Sequence, residues 1–505
     1  MRRLISIIIA AAACCLASNA ATLEVVPAPN SVESNGKLCR IGGSIVPGEG
    51  LGFEYSFLQE KLSGYERSNG KIKLSIDPSL AEEEYCMKVG SRKISIRGGS
   101  AAGVFYGIQT LLQEAEAYGG KVMQGTVKDA PAFAWRGYML DESRHFFGEK
   151  TVYEILDFMA RYKMNRFHWH LTDSPGWRIE IKAYPELTVT GATGCHTDPT
   201  TPPAFYTQDQ VRAIVAYAAE RHIQVVPEID MPGHGSSATR SYPVLGVGDK
   251  PGSFTYNPGR EEVYEFFAKV LAEVAELFPC EYLHIGGDEV SLGNKSWAED
   301  PAIKALMERE GFTDIKQAEA YFHKRMVPVI HKLGKKVLGW DDILELPLDK
   351  QEDILTWWRH DRMDHLEIGQ QKGYGMILCP RLPLYFDFVQ DESHTSGRKW
   401  YKDGAFNPLE NVYAFPESLG EEWNKGGVMG MQANLWTETV HTPKRVQYMT
   451  FPRMCALAED CWTSASVKDY ASFQSRIEKE YALYDSLGIY YCDFRNMDNH
   501  PEIKQ

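Results

Sequence analysis

The sequence predicts a (β/α)8 TIM-like barrel preceded by a small α/β domain. Three observations predict it. From Ala134 onward, short apolar runs of strand length alternate with amphipathic helical stretches. Eight such runs fall within about 300 residues, the plan and size of a closed parallel barrel. The runs also end, one after another, in carboxylates, histidine or tryptophan, which stability alone does not call for. A doubly wound open sheet is the alternative arrangement.

In chain order, residues 1–20 read as an export signal. Arg2 and Arg3 precede an apolar run from Leu4 to Leu16, and Ser18, Asn19 and Ala20 offer small residues for cleavage. The mature chain is expected to begin near Ala21, in the periplasm or outside the cell. Cys14 or Cys15 offers surface lipid anchoring as the alternative. The run is short for a bilayer span, and no later stretch reads as transmembrane. Residues 21–132 read as the small domain. Alternating strands at 71–76 and 93–97 lead to a helix over 101–116, with Val104, Ile108, Leu111 and Leu112 on one face. Asp129, Ala130 and Pro131 mark the boundary, and residues 133–505 form the barrel.

The barrel strands are expected at 137–140, 166–171, 223–230, 282–285, 336–340, 354–358, 376–378 and 428–436. Helices are expected at about 150–163, 207–221, 260–277 and 315–333. Residues 344–353 hold acids and a proline and are too short for a full helix, which predicts an irregular barrel there. Residues 381–427 are long for a plain connection.

Bulk properties exclude some functions. The formal charge is −14 and no basic run follows the N-terminus, so nucleic acid is not an expected partner. The eight cysteines beyond the signal have neither close-paired nor zinc-type spacing and read mostly as buried thiols. No cofactor or metal is expected. The 11 Trp and 26 Tyr give ample flat apolar surface, which sugar-binding clefts use.

The polar strand ends are Arg136 and Asp141 around the first strand, Asp173 after the second, and Glu228, Asp230 and His234 after the third. Asp288 and Glu289 follow the fourth, Trp340 and Asp341 the fifth, and Trp358 the sixth. Tyr385 and Asp387 follow the seventh, Trp436 and Glu438 the eighth. The fourth is the most informative. A buried run ends in Gly286 and Gly287, which let the backbone turn sharply, and two adjacent acids follow. Neighbouring side chains on a regular strand point to opposite faces, so both reach one pocket only where the strand has ended. A retaining glycosidase with a protein nucleophile sets its two carboxyls about 5–5.5 Å apart across the scissile bond. Adjacent acids arrive from one side instead. One can protonate a leaving oxygen while the other steadies a group on the substrate.

The chain resembles family 20 glycoside hydrolases, the β-N-acetylhexosaminidases. The matching stretches are residues 135–141 with Arg144, His145 and Phe146, residues 168–173 with Gly176 and Trp177, and residues 227–234, 284–289 and 435–438. The helix at 103–111 resembles the end of that family's small N-terminal domain. The resemblance implies exo-acting, retaining removal of terminal N-acetylhexosamine from glycans or chitooligosaccharides, with the substrate's acetamido group as nucleophile. It implies Glu289 as general acid/base and Asp288 as the residue that holds the acetamido N–H. Asp173 and His234 are implied as support for Glu289, and Tyr385 as a donor to the acetamido oxygen. Trp340, Trp358 and Trp436 are implied as a box around the methyl, with Trp357 competing for the middle place. Arg136, Glu438 and Asp387 are implied as contacts to sugar hydroxyls. Ser174 and Pro175 depart from the family's usual residues after Asp173, which bears on the leaving-group side.

Other readings compete. His168 and His170, with His234, His284 and Asp288, also suit a metal-dependent hydrolase of the amidohydrolase type. A non-catalytic glycan-binding protein would keep the tryptophans but lose an acid. Arg136 has the alternative of pairing with a structural acid.

Overall fold

A computed structural model describes residues 23–346, 348–420 and 423–504. The expected export signal lies outside the described residues. The small domain is one mixed sheet: β1 (Ser31–Arg40), β2 (Gly42–Val46), β3 (Ser68–Ile76), β4 (Tyr85–Val89), β5 (Lys93–Gly98) and β6 (Lys121–Asp129), in the order β1-β6-β4-β5-β3-β2. In β3, Ile72 and Leu74 are buried while Lys71 and Lys73 are exposed, because one sheet face is covered and the other is wet. The parallel neighbours β2 and β3 need a crossover, which α1 (Gly52–Lys61) supplies.

The helix α2 (Ala101–Ala117) was expected to bury one face. Instead it is buried along the whole of residues 103–115. One side covers the sheet and the other meets the barrel, so an all-round apolar helix is the stable solution. Tyr106 stands edge-on to Trp462 at 5.2 Å, and Gln113 donates to the Arg161 carbonyl.

Eight strands then close a parallel barrel: β7 (Trp135–Asp141), β8 (Arg166–His170), β9 (Gln224–Glu228), β10 (Tyr282–His284), β11 (Lys336–Trp340), β12 (Ile354–Trp357), β13 (Gly375–Leu378) and β14 (Val428–Leu435). β14 closes on β7 in register from Gly430↔Trp135 to Leu435↔Leu140. The expected helices are present as Glu149–Arg161, Gln208–Glu220, Glu261–Leu277 and Ile315–Lys332. Between β11 and β12 the described residues hold a 3-10 turn, Asp341–Ile343, and no longer helix, where the short acidic stretch predicted irregularity. Among the described residues, the long connection between β13 and β14 holds two short α-helices, Arg381–Leu384 and Leu409–Tyr413, and a 3-10 turn, Glu417–Leu419. Trp135, Val226, Tyr282, Leu338, Ile354 and Ile377 pack together inside the barrel. No helix among the described residues is long and apolar enough to cross a membrane.

Strand polarity corrects one expectation. Arg136 was expected at the sugar, but it stands at the start of β7, on the face opposite the strand ends. Its guanidinium is fully buried and forks onto Glu83 of the small domain at 2.7 and 2.8 Å. It also donates to the Tyr106 hydroxyl and the Lys163 carbonyl. This is the competing reading, a pair with a structural acid. Removing one member of such a pair strands the other charge. Glu83→Ala should therefore lower the unfolding free energy by about 3–5 kcal/mol in urea titration. Replacing both, as in Arg136→Met with Glu83→Leu, should recover much of the loss.

Candidate active site

The parallel strands deliver all their C-terminal ends to one mouth, where the site assembles. β10 is short because the backbone leaves extended geometry at Gly286 (φ 65°) and Gly287 (φ 93°). A methyl on Gly286 would sit 1.9 Å from Asp230 Oδ1, and one on Gly287 would sit 2.3 Å from Ile343 Cγ2. Only glycine fits at either position. Glu289 itself has φ 51°, an uncommon conformation for a residue with a side chain. The turn brings both acids to one imidazole. His234 Nε2 lies 3.6 Å from Asp288 Oδ2 and 3.7 Å from Glu289 Oε2. The Asp288 side chain is 13% exposed and that of Glu289 is 41% exposed. The first is sheltered and the second opens onto the cavity.

Behind these acids runs a line of alternating charge. Arg144 Nη2 pairs with Asp173 Oδ2 at 2.7 Å, and Asp173 Oδ1 faces His234 Nδ1 at 3.0 Å. Burial works against a charged His234, but Asp173, Asp288 and Asp230 outweigh it and push its pKa up to about 10. Burial likewise opposes the Asp173 anion, yet Arg144 and His234 hold its carboxyl well below the usual range. Asp288 moves the other way. Burial, with Asp342 and Glu289 nearby, raises it to about 7 against the pull of His234. Burial and Asp288 also raise Asp230 well above its ordinary value.

A second charged centre lies beneath. Glu228 is fully buried at the end of β9. His170 Nδ1 reaches its Oε2 at 2.5 Å, His168 Nε2 lies 2.9 Å from the same oxygen, and His284 Nδ1 lies 3.1 Å from Oε1. The Trp340 indole N–H donates to Oε1 at 2.9 Å. His170 also contacts Asp173 Oδ2 at 3.1 Å through its other nitrogen. Despite burial, its two carboxylate neighbours raise His170 well above its usual pKa. Burial and the neighbouring His284 lower His168 to about 4.

Trp340, Trp358, Tyr385 and Trp436 form an aromatic cluster at the mouth, apart from the main core. Trp340 and Trp436 centroids are 5.8 Å apart, and Tyr385 lies 6.1 Å from Trp436 and stacks parallel to Trp358 at 6.3 Å. The Trp358 indole N–H donates to Asp342 at 2.8 Å, which fixes its plane. Trp357 points into the main core and donates to the Arg362 carbonyl, so of the two neighbours it is Trp358 that lines the cavity. A cavity of about 680 Å³ opens here, lined by Arg144, His234, Asp288, Glu289, Trp358, Tyr385, Arg398, Trp400, Trp436 and Glu438 among others.

The mouth thus gathers Asp173, His234, Asp288, Glu289, Trp340, Trp358, Tyr385, Trp436 and Glu438. Arg136 is at the other end of the barrel. Asp387 is near but does not line the cavity; Arg398 stands in front of it, with Nε 3.0 Å from Asp387 Oδ2. Sequence reasoning gave no role to Arg144, although it quoted the Arg144-His145-Phe146 segment, and none to Arg398. Arg144 follows β7 by three residues, contacts Asp173, lies 3.9 Å from Glu438, and stacks on Trp436 with its guanidinium carbon 4.8 Å from the ring centre. It occupies the place expected for Arg136. Among the described residues three groups have metal-holding spacing: His168, Glu228 and His284; Asp173, Asp230 and His234; and His234, Asp288 and Glu289. In the first, His284 Nδ1 already accepts from the Gly286 N–H at 3.1 Å.

Residues 133–465 match the family described as glycosyl hydrolase family 20, catalytic domain, and residues 22–130 match domain 2 of that family. The beta-hexosaminidase of Porphyromonas gingivalis is 38% identical over 459 residues, covering 85% of this chain and 57% of its own length. The chain therefore spans little more than half of that relative. The beta-hexosaminidase of Vibrio furnissii is 34% identical over 478 residues, covering 88% of this chain and 77% of its own. Among solved structures, the exo beta-N-acetylglucosaminidase of Vibrio harveyi in complex with N-acetylglucosamine aligns with TM-score 0.83 at 33% identity, covering 93% of this chain and 79% of its own. The N-acetyl-beta-hexosaminidase of Streptomyces plicatus aligns with TM-score 0.81 at 31% identity, covering 93% and 96%. With both domains matched in order and the barrel closed, the chain belongs to glycosyl hydrolase family 20.

Proposed function

We propose that the protein is an exo-acting, retaining β-N-acetylhexosaminidase. It releases terminal β-linked N-acetylglucosamine or N-acetylgalactosamine from glycans or chitooligosaccharides. One observation carries the reading: Asp288 and Glu289 approach a single imidazole from one side of a cavity lined by Trp358, Trp436 and Tyr385, with Trp340 packed against them. Such a pair suits a substrate that brings its own nucleophile.

In this reading the acetamido methyl sits among Trp340, Trp358 and Trp436. Tyr385 donates to the acetamido oxygen, and Asp288 accepts its N–H. That oxygen attacks the anomeric carbon while Glu289 gives its proton to the departing glycosidic oxygen. The ring closes to an oxazolinium ion, whose positive charge Asp288 stabilises. Glu289, now a carboxylate, then takes a proton from water as the water attacks the same carbon from the face the leaving group vacated. The acetamido group reopens and the β configuration is retained. Arg144 and Glu438 meet sugar hydroxyls, and the line from Arg144 through Asp173 to His234 keeps a positive charge beside both acids. We also read residues 1–20 as an export signal, on their charge and hydropathy pattern.

Glu289→Gln should lower kcat on natural glycosides by about 10²–10⁴-fold, since it removes the proton donor. Asp288→Asn should lower kcat more than it raises KM. A matched glycoside with hydroxyl in place of acetamido should scarcely react; brisk turnover would instead demand a protein nucleophile. A second expectation concerns pH. Asp288 stabilises the oxazolinium charge only as the anion, and burial, with Asp342 and Glu289 nearby, raises its carboxyl to about 7. The profile of kcat/KM should therefore fall as pH drops below about 7, and Asp288→Asn should remove that contribution. Turnover should survive extensive dialysis against a chelator. Loss of activity with recovery on adding a divalent metal would favour the amidohydrolase-type reading built on His168 and His170.

A further inference from the structure

The small domain packs one face of its sheet on α2 and turns the other away from the barrel, and that outward face is basic. Lys71 and Lys73 alternate with buried Ile72 and Leu74 along β3. The pairing registers set Lys93 opposite Lys71. They carry the same face across the sheet through Lys73, Ser95 and Lys88, and through Arg97, Cys86 and Lys128. Residues paired on neighbouring strands point to the same side. Lys71, Lys73, Lys88, Lys93 and Lys128 are all exposed. Arg97 is held by Asp77 at 2.7 Å, but none of these five lysines has a carboxylate within ion-pair reach among the described residues. Glu33 on the edge strand β1, opposite Thr126, is the one acid that the strands of this face carry among the described residues. Just before β5, Arg92 joins Val46, Lys71, Lys73 and Lys93 around a cavity of about 390 Å³.

Stability alone does not call for such a face. Lys71 and Lys93 stand opposite each other on strands about 4.8 Å apart, where like charges oppose pairing. The chain as a whole carries a formal charge of −14, so the cluster is a local reversal of the overall balance. Along the sequence these cations are scattered, and only the sheet gathers them. We propose that this face is a docking surface for an anionic polysaccharide, a chain that bears sulfate or carboxylate groups. Three features favour that occupant. Lysines are compact point charges that hold an anionic chain without demanding one fixed geometry. The hydroxyls of Ser44, Ser75, Ser95 and Thr126 share the face with them and suit the hydroxyls of a sugar chain. None of these strand positions is aromatic, so nothing is offered for stacking nucleic-acid bases, and Val46 alone is a poor anchor in a bilayer. Because the face is turned from the barrel, a docked chain leaves the mouth open.

The test is affinity electrophoresis of the whole protein at low ionic strength in gels holding dextran sulfate, polygalacturonate or neutral dextran, with phosphatidylglycerol vesicles and duplex DNA as separate binding comparisons. Wild type should be retarded by at least one of the two charged polymers and not by neutral dextran, and the more strongly binding polymer identifies the anionic group. The retardation should fade with added salt as the charges are screened. Lys71→Gln/Lys73→Gln/Lys93→Gln should weaken binding by about tenfold or more. The same variant should unfold at or above the wild-type temperature, because it relieves repulsion between lysines. A saturating charged polymer should leave kcat and KM on a small β-N-acetylglucosaminide unchanged. The proposal is overturned if wild type ignores both charged polymers, if the triple variant binds them as tightly as wild type, or if vesicles or DNA bind as tightly as the polysaccharides. Competitive inhibition by the polymer would place it in the mouth and equally overturn the proposal. Should the triple variant fail to fold, unchanged binding in both Lys71→Gln and Lys93→Gln overturns it. The binding measurements need no turnover, so they stand apart from any failure of the hexosaminidase reading.

Discussion

The Glu228 carboxylate holds the mouth of the barrel together. It is buried without solvent, a placement that costs several kcal/mol unless partners compensate. Its partners come from three other strands: His168 and His170 from β8, His284 from β10 and Trp340 from β11. One anion thereby orients the deepest indole of the aromatic box. Through His170 it also aligns Asp173, which in turn orients His234 beside the two adjacent acids. The apolar and the proton-handling halves of the site share a single electrostatic anchor, and neither half has freedom to shift without disturbing the other.

Around that anchor the acids fall into two groups. Asp173, Glu228 and Glu438 have cationic neighbours and stay ionised against burial. Asp230, Asp288 and Asp387 are buried with like charges nearby and move upward. The first group builds the scaffold of charge. In the second, Asp288 sits at the cavity wall, where a ligand that donates a hydrogen bond would repay its raised energy by favouring the anion. Environment rather than residue type sets the charge state of these carboxylates, since all are aspartate or glutamate at strand ends.

Much of this was legible in the sequence. Strand and helix periodicities placed all eight barrel strands, and the Gly286-Gly287 break announced the turn that aims Asp288 and Glu289. What the sequence lacked was direction. Nothing local tells that Arg136 at the start of β7 faces the small domain while Arg144, just past its end, faces the cavity. Trp357 and Trp358 are adjacent, and only the closed barrel shows which one points inward. Glu228 read as one more strand-end acid, because the histidines that surround it are distant along the chain. Arg398 lies in the long connection between β13 and β14, where no periodicity marks a residue and a short backbone bridge between Phe388 and Arg398 does the positioning.

The helix α2, clasped between sheet and barrel, makes the two folding units inseparable in practice. Lys163 at the barrel's lower rim pairs with Asp129 at 3.3 Å and sits over Trp462, while Arg136 depends on Glu83. A truncated gene encoding only residues 133–505 would leave two cations and a broad aromatic surface bare on the underside. Such a fragment would tend to self-associate rather than persist as an autonomous enzyme. Any shuffling of this barrel onto other modules must therefore carry its small partner along.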